Sequence, residues 1–164
     1  MVRTLSVSKF NTMKRGMAIG RESWNAKNTA VAKWGIWHCG EDKHMFSGEW
    51  TTPETSVIEE FVDGSAVRIM LVNDKAWQIK LAGDSWLKSI HHSEADEMDI
   101  DLELLEDSRN IAKHFNIEIV GIDYMIGKNG EKHILEVNHI PNVTVFPFVN
   151  SAFIDYAKNW IALP

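Results

Sequence analysis

Apolar residues along this chain fall into short β-type runs more often than helical ones. Residues 120–141 hold two runs rich in Ile and Val around Lys128-Asn129-Gly130-Glu131. Asn-Gly favours a two-residue hairpin turn, because a type I′ turn needs positive φ at both central positions. With Asn129 and Gly130 as that turn, Lys128 faces Glu131. Counting back along both strands places Asp123 opposite Glu136 and Gly121 opposite Asn138, on one face. Residues 66–72 and 75–81 predict a second hairpin about Asn73-Asp74. There Arg68 faces Ile79 and Met70 faces Trp77, while Lys80 lies on the other side of the sheet.

The remaining segments are shorter. Residues 29–34 read as a buried strand carrying Lys33, and 56–62 as another, ended by Asp63-Gly64. The stretch 35–48, with Gly35, Gly40 and Gly48, reads as a loop, as does the polar run 82–92. Residues 1–28 read as a solvated arm. Helical periodicity marks 101–115, with Leu102, Leu105, Ala112 and Phe115 on one stripe and acids at its start. Asn116 is the stop, and the helix's charges read as a solvated face. A second helix over 149–161 turns Ala152, Phe153, Tyr156, Ala157 and Trp160 toward the core.

A chain of 164 residues holds one domain or two small subdomains. Its net charge of −6 argues against a general nucleic-acid binder, yet leaves room for a local basic pocket. The single Cys39 closes no internal disulfide, which fits a reducing compartment and a cytoplasmic location. No run approaches the roughly 18 apolar residues of a membrane-spanning helix, and residues 1–10 lack the apolar core of a signal peptide. The seven tryptophans are expected mainly in the core or in cleft walls.

Chemistry concentrates in the 120–141 hairpin. Carboxylates directly opposite one another repel by roughly 0.2–1 kcal/mol at an exposed site, and by more where buried. Ile122, Leu135 and Val137 around them imply partial burial, so the pair calls for a cation or a shared proton. Asp123, Glu136 and Asn138 offer oxygen ligands without cysteine, which suits Mg²⁺ or Mn²⁺ sharing its shell with water and phosphate. The plainer alternative is an edge hairpin with solvated acids. Lys33 inside an apolar strand needs an anion or a route to water. Arg68 among Met70, Trp77 and Ile79 needs an anionic partner. Lys43 in the glycine-rich stretch could add charge to phosphate oxygens, although the spacing matches neither a Walker loop nor a Rossmann fingerprint. Lys88 and Ser89, beside His91-His92, suit a phosphate or carboxylate. His38, Cys39 and His44 invite a zinc reading, weakened by the lack of a second Cys/His pair at finger-like spacing.

Together, V-G-I-D-Y-M-I…I-L-E-V-N-H-I-P, V-A-K-W, V-I-E-E-F-V-D-G and A-V-R-I-M-L-V resemble the ATP-grasp superfamily over roughly residues 29–150. The hairpin is similar to the paired metal-ligand strands of glutathione synthetases and ribosomal-protein glutamate ligases. The resemblance implies an α+β fold: an antiparallel sheet with helices packed on one face, plus a partial nucleotide-binding subdomain. It implies a division into residues 1–58, a partial central subdomain with a glycine-rich loop, and 59–164, a C-terminal subdomain with the Mg-binding hairpin. It further implies ATP and Mg²⁺ (or Mn²⁺) as cofactors, with Asp123, Glu136 and Asn138 on the metal. Lys33 and Lys43 would meet phosphates, Glu59, Glu60, Phe61 and Val62 would meet the adenine edge, and Arg68 and Lys88 would act in catalysis. The implied activity is carboxylate–amine ligation through an acyl phosphate, or nucleotide binding without turnover. Implied partners are ATP, a small-molecule or peptide carboxylate and a nucleophile, with no nucleic acid and no membrane. A separate N-terminal domain or a second copy of the chain would complete the assembly, and Lys9 or Lys14 would replace the family's further upstream phosphate-binding lysine.

Overall fold

The structure, a computed structural model, describes residues 7–13, 15–35, 42–82 and 94–162. Among these residues the strands form two antiparallel sheets. The first contains β1 (Arg15–Ala18), β2 (Ser23–Lys33), β3 (Lys43–Thr51) and β4 (Ser56–Glu60), in the order β1-β4-β2-β3. The second contains β5 (Gly64–Val72), β6 (Lys75–Ala82), β7 (Glu94–Met98), β8 (Ile119–Gly127) and β9 (Lys132–Asn138), in the order β7-β6-β5-β8-β9. Two helices complete the fold, α1 (Leu102–Phe115) and α2 (Pro147–Ile161). The chain crosses from one sheet to the other at residues 61–63.

The α+β class with antiparallel sheets is the expected one, but the helices do not share a face. Val67, Ile69 and Leu71 of β5, with Ile122 and Tyr124 of β8, pack under Leu104, Ile111 and Ala112 of α1. The alternate positions Ala66, Met70 and Val72, with Ile79 and Leu81 of β6, pack against Phe146, Val149 and Ala152 at α2. A strand covered on both faces must be apolar at nearly every position. That explains why 66–72 is a continuous apolar run interrupted by Arg68 alone.

Three expectations change. β1 and the first half of β2 occupy part of the supposed arm, and β3 begins inside the supposed glycine loop. These strands face solvent on one side and carry Asn, Lys and Ser, so pairing across the sheet forms them rather than apolar runs. On α1 the buried stripe is Leu104, Asp107, Ser108, Ile111 and Ala112, whereas Leu102 and Phe115 are exposed. Both stripes have helical spacing, and tertiary bonding selects the rotation. On α2, Trp160 lies in solvent, 65% exposed. The helix ends were legible: Asp101 caps α1 by accepting the N–H groups of Glu103 and Leu104, and Asn116 closes it in the left-handed region.

The rotation of α1 is held by a buried polar network. Asp107 accepts hydrogen bonds from Ser8 Oγ (2.8 Å), the Lys9 N–H (2.7 Å) and the Tyr124 hydroxyl (2.9 Å). Ser108 Oγ shares a further bond with the same hydroxyl (2.9 Å). Burial, and then the Asp107 charge, push the Tyr124 phenol well above its ordinary range, against the opposing effect of Ser108. The hydroxyl therefore stays a donor. Tyr124→Phe leaves Asp107 one donor short, and the expected loss is about 1–3 kcal/mol of unfolding free energy. Urea unfolding measures it, and a loss below about 0.5 kcal/mol would show the network to be dispensable.

Candidate functional site

The β8–β9 hairpin reaches its expected register at the acids by an unexpected route. Only Gly130 of the turn pair has positive φ, at 82°. The Gly130 N–H donates to the Gly127 carbonyl (2.8 Å), and the Gly127 N–H donates to Glu131 (2.8 Å). This is a three-residue loop with a left-handed glycine, one residue longer than a type I′ turn. Ile126, Met125 and Tyr124 consequently pair with Lys132, His133 and Ile134, one position off the expected register. A bulge at Leu135 then restores it, so Asp123 pairs with Glu136 and Gly121 with Asn138. Lys128 does not face Glu131. Its N–H and ammonium both bond Asp63, at 3.0 and 2.5 Å.

β5 lies along the other edge of β8 and places Arg68 directly opposite Asp123. Arg68 Nε donates to Asp123 Oδ1 at 2.6 Å and Nη2 donates to Oδ2 at 2.8 Å. The Asn138 amide approaches Oδ2 at 3.5 Å. Asp123 is 4% exposed, while Glu136 is exposed. Gly121 is no open gap: a Cβ there would lie 3.1 Å from Met70 Sδ and from Pro141 Cβ, and 3.5 Å from Arg68 Cδ. Burial pulls the Arg68 guanidinium down, but its bonds to Asp123 and the Asp123 and Glu136 charges outweigh that and hold it above its ordinary value. A row of one cation and two carboxylates thus crosses three strands.

The first sheet brings two lysines toward this row. Lys33 and Lys43 are register partners on β2 and β3. Lys33 forms an ion pair with the buried Glu59 of β4. Burial, followed by the Lys33 charge, lowers the Lys43 pKa from 10.5, while Glu59, Glu136 and Asp123 act in the opposite sense. Carboxylates of both sheets therefore act on Lys43. A cavity is lined by Met13, Val31, Lys33 and Lys43, by Glu59, Glu60, Phe61 and Val62 at the crossing, and by Met125 and Leu135 of the hairpin. The Phe61 N–H is taken by the Thr29 carbonyl (3.0 Å), so it is not free to meet a ligand.

The sequence candidates divide accordingly. Lys33, Lys43, Glu59, Glu60, Phe61 and Val62 share the cavity, and Arg68, Asp123, Glu136 and Asn138 share the row beside it. Lys43 stands on a strand rather than on a loop. Lys88, Lys14, His38, Cys39 and His91-His92 lie outside the described residues. Lys9 bonds Glu106 of α1 at 3.2 Å, on the face of the second sheet opposite Arg68. His44 stacks on Trp50 at 4.9 Å, on the outer face of the first sheet. Trp24, Trp34 and Trp50 share that outer face rather than a cleft wall. Met13 and Met125 had no sequence signal, since nothing local marks a cavity floor.

Among the described residues no group of three or more His, Cys, Asp or Glu is arranged to hold a metal ion. The two carboxylates with the Asn138 amide make an open, partial oxygen set. That set fits a hard ion that keeps waters and phosphate oxygens, and it does not fit a closed protein cage.

The chain matches no family model and no curated protein. It does match solved structures. One is a RiPP-associated ATP-grasp ligase of Chryseobacterium gregarium in complex with ADP and a leader and core peptide, with a TM-score of 0.61 and 10% identity. The match covers 95% of this chain and 56% of that one.

This is the ATP-grasp fold.

The ATP-grasp ligase PsnB, complexed with minimal precursor, Mg and ADP, has a TM-score of 0.58 at 11% identity, covering 90% of this chain and 54% of that one. The ADP complex of PurK, an N5-carboxyaminoimidazole ribonucleotide synthetase, has a TM-score of 0.58 at 9% identity, covering 81% and 41%. The chain thus spans little more than half the length of the ATP-grasp structures it matches first. No described helix is long and apolar enough to cross a membrane.

Lys43 gives a stability prediction with a defined sign. A lysine whose pKa is lowered on folding carries a penalty that is full below the folded pKa. The penalty fades as pH rises from there toward 10.5, where the unfolded lysine also deprotonates. Lys43→Met should therefore stabilise the fold at neutral pH by about 0.2–1 kcal/mol, the range for relieving a cross-strand like-charge pair. Urea unfolding at several pH values should show the gain shrinking with alkalinity. A gain that grows with pH would contradict this account.

Proposed function

We propose that the chain binds a Mg²⁺–ATP complex between its two sheets and acts as an ATP-dependent carboxylate–amine ligase, or ligates a related nucleophile. One observation carries the reading. Lys33 and Lys43 from one sheet line a cavity whose other side is Met125 and Leu135 of the hairpin, and Leu135 is followed directly by Glu136 of the row that holds Arg68, Asp123 and Asn138. Such a site offers cations for phosphate oxygens and hard oxygen donors for their counter-ion. The nucleotide-binding part is read as residues 1–58, which hold all of the first sheet but the end of β4, and the C-terminal part as residues 59–164.

With the Phe61 N–H occupied, the Glu60 carbonyl and the Val62 N–H are the groups assigned to a base edge. Leu135 and Met125 provide an apolar floor for its ring. Lys33 and Lys43 hold phosphate oxygens, and Arg68 with Lys88 offsets charge developing on the transferred phosphoryl group. Asp123, Glu136 and Asn138 hold Mg²⁺ or Mn²⁺, which supplies charge neutralisation at the phosphates. A substrate carboxylate attacks the γ-phosphate to give an acyl phosphate and ADP, and the nucleophile then displaces phosphate. This chemistry needs positioning and electrostatics rather than a protein nucleophile. The leader and core peptide bound to the Chryseobacterium gregarium ligase favours a peptide as one substrate. Cys39 as the sole cysteine favours a cytoplasmic setting.

A second reading keeps nucleotide and metal binding without turnover. The observation behind it is the full occupation of Asp123 by Arg68, which a retired site would also tolerate. Titration with a non-hydrolysable ATP analogue, with and without Mg²⁺, followed by an ADP-release assay over candidate carboxylates and amines, separates the two. Mg²⁺-dependent binding is expected, and its absence would sink both readings. Glu136→Gln should weaken that binding about tenfold or more while leaving the melting temperature unchanged, because Glu136 is exposed. Unchanged affinity would remove Glu136 from the metal site.

Binding should also be coupled to protons. A polyphosphate beside Lys43 raises the lysine's lowered pKa, so in the pH range below 10.5 where the free protein's Lys43 loses its proton, binding takes up a proton and weakens as pH rises. Calorimetry in two buffers of different ionisation enthalpy should give different heats. Identical heats would place the phosphates away from Lys43.

A further inference from the structure

The Arg68–Asp123 pair has a geometry that a mere charge balance does not need. Arg68 uses its side-on fork, Nε and Nη2, against one oxygen each of Asp123, at 2.6 and 2.8 Å. Both residues sit on interior strands of the second sheet, directly paired, with Glu136 next in the row. The stem of Arg68 passes over Gly121, where an added Cβ would lie 3.5 Å from its Cδ. Yet the Arg68 side chain keeps 17% of its surface exposed, against 5% for Asp123. The arginine is thus the half of the pair that solvent and ligands can reach.

A free divalent cation meets this arrangement at a disadvantage. To use Asp123 it must share a carboxylate that already carries a bidentate guanidinium, and it must sit beside that guanidinium's charge. Glu136 and Asn138 alone are a poor shell for a hard ion that prefers several anionic oxygens. A polyphosphate changes the balance. It gives the planar guanidinium another anionic partner that presents two oxygens to its fork, and it screens the two cations from each other. We propose that Arg68 closes the carboxylate row to free metal, so that the site takes a divalent cation only together with the polyphosphate of a nucleotide. The inference rests on the metal-site reading above and adds what keeps the metal alone out: the two-oxygen hold of Arg68 on Asp123.

The test uses Mn²⁺ as probe, alone and preformed with a non-hydrolysable ATP analogue, on the full chain. Calorimetry and melting temperature are the readouts. Wild type should bind the Mn²⁺–analogue complex and show no melting shift with Mn²⁺ alone. Arg68→Met should bind Mn²⁺ alone at least tenfold more tightly than wild type. Its melting temperature, lowered because Asp123 loses its partner, should be raised by Mn²⁺. Arg68→Met/Asp123→Asn removes the orphaned charge, so it should recover stability without Mn²⁺ and lose the Mn²⁺ response. Should Arg68→Met not fold, Arg68→Lys keeps the charge without the two-oxygen fork. It should then show Mn²⁺ affinity above wild type.

Equal Mn²⁺ affinity in wild type and the Arg68 variants, with the Mn²⁺–analogue complex still bound, overturns this inference and leaves the nucleotide site standing. Binding of neither Mn²⁺ nor the complex by any of these proteins overturns both.

Discussion

The bidentate ion pair between Arg68 and Asp123 is the constraint on which the second sheet depends. Both residues lie on strands covered by a helix on at least one face, and Asp123, the more deeply buried of the two, has no easy alternative to Arg68 in water. Removing one partner from such a pair strands the other at a cost of about 3–5 kcal/mol. The sheet must therefore keep β5 and β8 in one register, with position 68 against position 123. A shift of β8 by one residue would turn its side chains to the other face of the sheet, as well as separate the charges.

That register governs what lies on either side. Beyond β8, the bulge at Leu135 puts Ile134 and Val137 on the α1 side although they are three residues apart. Leu135 turns instead toward the cavity, and Glu136 meets Asp123. The longer turn and the bulge are coupled irregularities: either alone would slide Glu136 past Asp123. Across the cleft, Lys33 and Lys43 are held side by side by the β2–β3 pairing despite their like charges. Each sheet thus pairs a cation with a carboxylate of its own, Lys33 with Glu59 and Arg68 with Asp123, while Lys43 and Glu136 each stand beside a like charge and act on one another between the sheets. An arrangement of that kind is stabilised by a ligand carrying both signs, as a metal–polyphosphate complex does.

Much of the fold was legible because its local signals were strong. The β5–β6 hairpin followed from two strand-like runs either side of Asn73-Asp74, and Asn73 adopts a positive φ of 55° at the turn. Asp101 and Asn116 bounded α1 by their side-chain chemistry. The acid row was also reached, although its turn was misread. The loop extension and the bulge have opposite effects on register, and neither leaves a clear mark in sequence. The strands of the first sheet were under-read because their solvent face is polar. The stripe of α1 was misplaced because a buried aspartate looks hydrophilic until its partners, Ser8 and Tyr124, are known.

By itself the sequence determined where the two hairpins lie, the ends of α1, and the placing of Asp123 opposite Glu136 and of Asn138 opposite Gly121. Each of these depends on interactions within a few residues or across one turn. It also marked Lys33 and Arg68 as charges needing anions, since an apolar run leaves a cation no other option. What those anions are was decided by tertiary structure: Glu59 from the neighbouring β4 and Asp123 from β8, 55 positions along the chain from Arg68. Strand order is set by how whole faces bury against α1 and α2, and no local pattern encodes which strand becomes the neighbour of which. The partner of Arg68, and with it the state of the carboxylate row, follows from that burial.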